Sequence, residues 1–581
     1  GAPRKRVCVV GSGISGNSAA YFLREACEVT LCERQERVGG HAWTLEVDGK
    51  GMHVDVGFQV FNYSNYPLLS KLFDELGVKT VESDMSLSVG ARGMPGVADF
   101  EWSSKAIFPT WASMLDPRGW TRLFEILSFE RAARKSIAAA DLGDMTMNQW
   151  LDREGFSARL RDEYLGPMSA ALWSCPTDQV FDFPAVTVFG FLDNHFMLQR
   201  TRPKWRTPMS RSQDYVTKLH AALRASGAHI RAPCEVAKLE ACADGRVRVV
   251  DVQGRAVDEP FDSVLLAVHA DQAADILRRS SLPAGDLQRA EEALGGFKYF
   301  PNDIRVHTDA RLMPKEKKCW GAWNVMQTPG AAAVTYWINK LQPGAAPEGT
   351  DVFVTLNAPE GTVADGKTLQ RFELDHPVLD AAALAAQRAL PGLQGLAGGR
   401  IFLCGAWAGW AFHEDGLRSA RLAVEAMGED VSQWPAERQS LVPLSPLAKV
   451  LWSRVLAPGL QKMVQRGSLR VVFGNGGETI LGDGTGKEVE LRVRSERFLW
   501  RAMLDPGMGL ADAYVEGEIS VRPDILDLFS LMLANKPKGE EASPMAWTPM
   551  RLITPLARRY YASLHARRAN SHAGSQKNIA A

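Results

Sequence analysis

Three glycines, Gly11, Gly13 and Gly16, stand in the opening stretch VCVVGSGISG, after an apolar run and before a helix-forming segment. In this spacing the first glycine allows a tight turn, the second lets backbone approach a pyrophosphate, and the third packs helix against strand. Ile14 and Ser15 occupy the helix N-terminus, where unpaired amides and the helix dipole favour an anion. Glu33 lies 22 residues after Gly11, where a carboxylate can accept hydrogen bonds from ribose hydroxyls. The chemistry indicated is dinucleotide binding. Positioning these groups requires a β-α-β unit, and the apolar periodicity supplies one: a strand over 7–10, a helix over 14–26 and a strand over 28–32.

The segment ERQERVGGH, residues 33–41, decides which dinucleotide. A plain NAD domain has no need of it, whereas Arg34, Arg37 and the pair Gly39–Gly40 resemble the second flavin motif of the amine oxidase superfamily, with His41 in place of the usual arginine. Residues 227–250 and 261–270 then read as strand, hairpin and strand, the returning half of the same domain. The resemblance implies a backbone contact from Val236 to the adenine. Near the end of the domain, RIFLCGAWAGWAFHEDGLRSARLAVEAMG gives a buried strand, Gly405, a loop, and Asp415, Gly416 and Leu417 at the head of an amphipathic helix. There the superfamily places its last flavin contact. The cofactor expected is FAD.

Catalytic identity is less sharply encoded. Amine-oxidising members of the superfamily carry a lysine beside the flavin, and Lys298 lies in roughly the equivalent strand. CWGAWNVMQTPGAAAVTYWIN predicts an antiparallel sheet around a Pro329–Gly330 turn, from which Trp323 or Trp337 could face the flavin. His307, His376 and His413, isolated in sequence, read as structural histidines. No nucleophilic triad, paired carboxylate or metal-ligand constellation is present in the sequence pattern. Helical segments at 66–78 and after Thr146 are expected to form a cap over the substrate side.

Further stretches, DVGFQVFN (55–62), ALWSCPTD (171–178), VTLNAPE (354–360) and GWAFHEDGL (409–417), together with GLADAYVEGE (509–518), resemble the flavin-binding region fused to the front of plant and algal cyclopropane-fatty-acyl-phospholipid synthases and its stand-alone bacterial relatives. The fold implied is α/β. A Rossmann-like FAD domain of amine oxidase type with an antiparallel substrate sheet and helical cap occupies 1–435, and a small α+β lipid-handling domain occupies 467–536. An amphipathic basic linker is expected over 436–466 and a second basic linker over 537–581. The resemblance implies a phospholipid or fatty acyl substrate and a methyltransferase domain C-terminal to these residues, because no glycine-rich S-adenosylmethionine loop is visible; the Asn475–Gly476 and Asp483–Gly484 pairs of FGNGGETILGDGTG sit between short alternating strands and read as hairpin turns. The flavin would either perform hydride chemistry on acyl chains (desaturation, reduction or isomerisation) or serve as a non-catalytic structural module.

Composition sets outer bounds. With 581 residues, 46% hydrophobic and 23% charged, the chain exceeds one core and calls for at least two domains. Its formal net charge of zero gives no overall field for nucleic acid, and none is expected as partner. The eight cysteines are scattered through apolar segments and read as reduced thiols without zinc. Lacking a signal-like region or a spanning apolar run, the chain is expected to be cytoplasmic. Peripheral membrane association is expected through basic, aromatic-rich residues 536–581.

Overall fold

The computed structural model describes residues 3–535 apart from 48, 50, 95–97, 199–202, 329–330, 437–443, 474–477, 487, 505, 516–517 and 523. The chain divides into two compact units. The first comprises residues 1–62, 66–198 and 205–437, and the second 63–65, 199–204 and 438–581.

In the first unit, five parallel strands lie in the order Ile401–Leu403, Ser263–Leu266, Lys5–Val10, Cys27–Cys32 and His229–Arg231. The central strand Lys5–Val10 is buried from Val7 onward, which is why its run VCVV contains no polar side chain. The expected β-α-β unit is present, with the helix confined to Ile14–Leu23. The hairpin Val236–Ala241/Val247–Asp251 forms its own two-stranded sheet before the chain returns to the parallel one.

A second, seven-stranded sheet runs in the order Thr368–Val378, Lys298–His307, Phe353–Leu356, Ala331–Trp337, Trp323–Thr328, Leu87–Ala91 and Phe100–Ser103. It departs from a purely antiparallel arrangement at one place: Trp323–Thr328 pairs parallel with Leu87–Ala91. That partner comes from an insertion more than two hundred residues upstream, so no hairpin dictates its direction. Helices Pro117–Ala139, Met147–Arg153, Gly166–Trp173 and Ala185–Asn194 form the cap, with a core that includes Phe129, Trp150 and Phe189. Thr146 caps Met147–Arg153 through a capping box with Gln149.

The second unit holds a four-stranded sheet in the order Glu478–Gly482, Ser468–Val472, Glu488–Val493 and Ile519–Arg522. The stretch expected as a linker is helical over Pro446–Met463, and Ala448, Leu451, Trp452 and Leu456 enter the same core as the strands. Its apolar face is therefore a packing face. Asp483–Gly484, expected as a hairpin turn, precedes a strand that pairs parallel with Ser468–Val472, so the connection crosses over. The Asn475–Gly476 and Pro329–Gly330 turns and the basic tail 537–581 lie outside the described residues.

Candidate active site

A cavity of about 590 Å³ lies in the first unit. One end is made by the carboxyl ends of the parallel strands. Gly11 sits at φ +100°, and a Cβ there would lie 2.7 Å from the carbonyl oxygen of Ala267, so glycine is required twice over. A Cβ on Gly16 would stand 1.8 Å from the Gly11 oxygen. At Gly13 a Cβ would meet nothing within 4 Å, because this position opens into the cavity. The helix that follows has no side-chain cap on its N-terminus, which leaves its first amides to an anion. Glu33 is fixed beside it: Ser12 donates to its Oε2 from the backbone N (2.9 Å) and from Oγ (2.7 Å).

Gly40, at φ +58°, lies so near that a Cβ would be 2.8 Å from Gly13 Cα. Gly39 donates its N–H to the Ser12 carbonyl at 3.1 Å. Next to them the His41 Nε2 is buried without a hydrogen-bond partner. His41, His269 and His376 form a cluster at this end, with ring centroids 5.4 Å apart for His41–His376 and 6.2 Å for His41–His269. His269 stacks on Tyr299 at 4.5 Å. Asn302 Nδ2 donates to His376 Nδ1 at 3.0 Å, which holds that ring in the neutral form. Burial, reinforced by the neighbouring imidazoles, pulls His41 down to about 4 and His376 to about 3. Burial lowers His269 as well.

The other end is aromatic. The second sheet contributes Ile304, Trp323, Tyr336 and Leu356, the cap contributes Trp173, Phe191 and His195, and the loop before the last helix contributes Trp410 and Phe412. Trp323 and Tyr336 are cross-strand partners with rings 4.5 Å apart. His195 stacks on Phe191 at 3.8 Å; its Nδ1 lies 3.0 Å from the Phe191 carbonyl, and its Nε2 is 3.4 Å from the Tyr66 hydroxyl. Carboxylates and cations also line the cavity, among them Glu33, Arg37, Glu373 and Asp375.

Of the residues expected from sequence, Gly11, Gly13, Ile14, Ser15, Glu33, Arg34, Gly40, His41, Val236, Gly405 and Trp323 converge on the cavity. Gly16 and Gly39 support its walls from behind. Asp415, Gly416 and Leu417 do not line it: the last helix begins at His413, which does, and Gly416 lets that helix approach the first one, where a Cβ would come within 2.6 Å of Ile14 Cγ2. His413, expected to be structural, borders the cavity while donating to or accepting from the Tyr215 hydroxyl at 3.0 Å. His376 likewise faces the cavity; His307 is buried against Thr355 away from it. Lys298 is exposed, lies outside the lining and pairs with Asp380 at 3.2 Å. Trp337 is also outside the lining, its indole donating to Asp351 at 2.9 Å. His269, unremarked in the sequence, had a usable signal: it follows directly on the buried run VLLAV, the strand end where α/β sites gather.

An uncapped helix at a parallel sheet, a glycine there that opens into the cavity, and a second sheet walling its aromatic end have the arrangement of a flavin-dependent oxidoreductase. Residues 14–366 match the flavin-containing amine oxidoreductase family, and the chain belongs to it; its cofactor is FAD. Over 99 residues it is 37% identical to an FAD-dependent oxidoreductase of Emericella nidulans, covering 17% of this chain and 20% of that one. Over 210 residues it is 24% identical to a zeta-carotene desaturase of Zea mays, covering 32% and 35%. The chain thus spans about a fifth to a third of these relatives. Its fold matches the cyclohexylamine oxidase of Brevibacterium oxydans with a TM-score of 0.53 at 15% identity, over 74% of this chain and all of that one.

Proposed function

We propose that this oxidoreductase exchanges hydride with an unsaturated fatty acyl chain, as a desaturase, reductase or double-bond isomerase. The observation that carries the reading is the aromatic wall of the cavity, built from Trp173, Phe191, Trp323, Tyr336, Trp410 and Phe412. A hydrocarbon chain loses nothing by desolvation against such a wall, whereas a charged amine must give up its hydration there. The flavin supplies the hydride acceptor or donor. His195 is a titratable side chain at the apolar end, its Nδ1 3.0 Å from the Phe191 carbonyl and its Nε2 3.4 Å from the Tyr66 hydroxyl, and in this reading its imidazole takes or returns the accompanying proton. The resemblance to the front region of cyclopropane-fatty-acyl-phospholipid synthases supports a phospholipid-borne chain and a methyltransferase domain as partner.

The test is anaerobic titration of the FAD-loaded protein with phospholipids bearing cis-unsaturated chains, and of the chemically reduced protein with the same lipids. Bleaching in the first case or recovery of the oxidised spectrum in the second is expected, slowed about a hundredfold by His195→Gln with flavin content unchanged. Reduction by aliphatic amines instead, or silence toward every acyl lipid, would replace this reading with amine oxidation or with a structural flavin.

A further inference from the structure

The largest exposed apolar side chains of the first unit are concentrated in residues 111–127. Trp111 is 81% exposed, Leu115 82% and Phe124 62%, with Met114, Trp120 and Leu127 also open to solvent. They belong to the short helix Trp111–Leu115 and the long helix Pro117–Ala139. On the long helix, Trp120, Phe124 and Leu127 recur at three- and four-residue spacing and so share one face. The same face continues into Arg131, Arg134 and Lys135, all exposed, and none of the three is ion-paired with a described carboxylate. Arg118 and Asp116, also at this surface, neutralise each other at 2.8 Å. The carboxylates on the flanks are engaged elsewhere: Glu125 accepts from Ser157 Oγ at 2.8 Å, and Glu130 lies off the stripe.

Phe108 packs on Trp120 with ring centroids 4.5 Å apart, and the Trp120 indole donates to the Met114 carbonyl at 2.9 Å. A soluble surface rarely keeps several bulky side chains so fully exposed side by side. An apolar end carrying two tryptophans, followed along one face by three unpaired cations, has the composition of a helix that lies in a lipid interface. The opposite face of the same helix buries Phe129 against Trp150 and Phe189, and the helix of Phe189 carries Phe191 to the cavity wall. One helical layer therefore separates this surface from the aromatic end of the site.

We propose that residues 111–135 dock this protein onto an anionic lipid bilayer, with Trp111, Leu115, Trp120 and Phe124 entering the interface and Arg131, Arg134 and Lys135 meeting the headgroups. The docking does not depend on which substrate the flavin serves, and its assay does not read turnover. The experiment is co-sedimentation of the FAD-loaded full chain with vesicles of phosphatidylcholine alone or with phosphatidylglycerol as a minor component, at low and high salt. Wild type is expected to bind anionic vesicles more tightly, and less so in high salt. Trp111→Ser/Leu115→Ser/Phe124→Ser, all at exposed positions, should lower partitioning about tenfold or more at either salt. Arg131→Gln/Arg134→Gln/Lys135→Gln should remove the preference for the anionic vesicles, a loss of about tenfold or more at low salt. An unaltered flavin spectrum verifies that each variant is folded. Wild type remaining in the supernatant, an apolar variant that binds like wild type, or binding lost only on deleting 536–581 would each overturn the proposal.

Discussion

At the nucleotide end of the cavity the constraints fall on backbone: Gly11, Gly16 and Gly40 are held where a Cβ would strike another main-chain atom within 2.8 Å, and Gly13 where it would occupy the ligand's space. At the substrate end they fall on side chains that arrive from far apart, Tyr66 and Phe191 from the insertion, Trp323 and Tyr336 from the second sheet, Trp410 and Phe412 from the loop before the last helix. A backbone constraint admits one residue type and so leaves a mark in a single short stretch. An aromatic wall tolerates exchanges among large apolar residues, provided the volume is filled. The two ends should therefore fail differently when altered.

The greatest effect is expected at Gly13. Gly13→Asp has room for its side chain, so the fold should survive, but the carboxylate would face the pyrophosphate. FAD affinity should fall about a thousandfold or more, roughly 4 kcal/mol of lost anion binding and added repulsion, measured as flavin retained after gel filtration. Gly16→Val, aimed into the Gly11 carbonyl, should instead impair folding itself. If both variants kept flavin equally, the backbone account of this end would be wrong.

Acid should probe the histidine cluster next. His41 and His376 have folded values near 4 and 3 against 6.5, so the unfolded chain binds their protons first. Their contribution is complete above pH 6.5 and is lost as pH falls toward 4. Both rings border the cavity and keep part of their hydration, so the loss is on the order of 2 kcal/mol for each. Asp55, raised to about 6 by burial, contributes in the opposite sense, stabilising at low pH and losing that as pH rises through 6. His41→Gln/His376→Gln should flatten the acid side of the curve while leaving the Asp55 slope. The measurement is urea denaturation of the FAD-free protein between pH 4.5 and 7.5, a range chosen to span about the two transitions. Bound FAD, as an anion beside these rings, should diminish the acid loss, which ties the cluster to the nucleotide end.

How much was legible follows the same division. The β-α-β unit, FAD and most of the residues that line the nucleotide end could be read because glycine spacing and helix polarity are local. At the last helix the local signal misleads: Gly416 reads like a phosphate-approach glycine, but the approach it permits is between two helices, and the helix starts at His413. The histidine cluster joins positions 41, 269 and 376, and its members are single residues with no local pattern. Pro446–Met463 was misjudged as a linker because an amphipathic, basic helix looks alike whether its apolar face meets a membrane or a core.

Trp323 and Trp337 separate substrate lining from ordinary packing within one hairpin. Trp323→Ala should lower kcat/KM about tenfold, ~1.4 kcal/mol of transition-state binding, with flavin retained. Trp337→Ala should leave kcat/KM nearly unchanged and cost about 1–2 kcal/mol of stability through the lost indole–Asp351 bond and packing. The paired readout is steady-state kinetics on an acyl lipid alongside urea midpoints. Equal kinetic effects would mean that the sheet shapes the site as a whole and not through the lining face alone.

The smallest effect is expected at Lys298, the residue that analogy with amine-oxidising members singles out most strongly. Its side chain is 68% exposed and its ammonium lies 3.2 Å from Asp380, at the start of a strand whose later residue Ile304 reaches the cavity. An exposed ion pair of this kind is worth about 0.5 kcal/mol. Lys298→Met should therefore shift the urea midpoint only slightly, leave the flavin spectrum and FAD affinity as in wild type, and change turnover by less than about twofold. A lysine acting beside the flavin would instead be indispensable to reduction by substrate. Rapid-mixing reduction of Lys298→Met distinguishes the two: a rate near that of wild type assigns the strand's contribution to its cavity-facing residues, whereas a drop of about a hundredfold or more would place this end of the strand in the chemistry and redraw the boundary between the two regions.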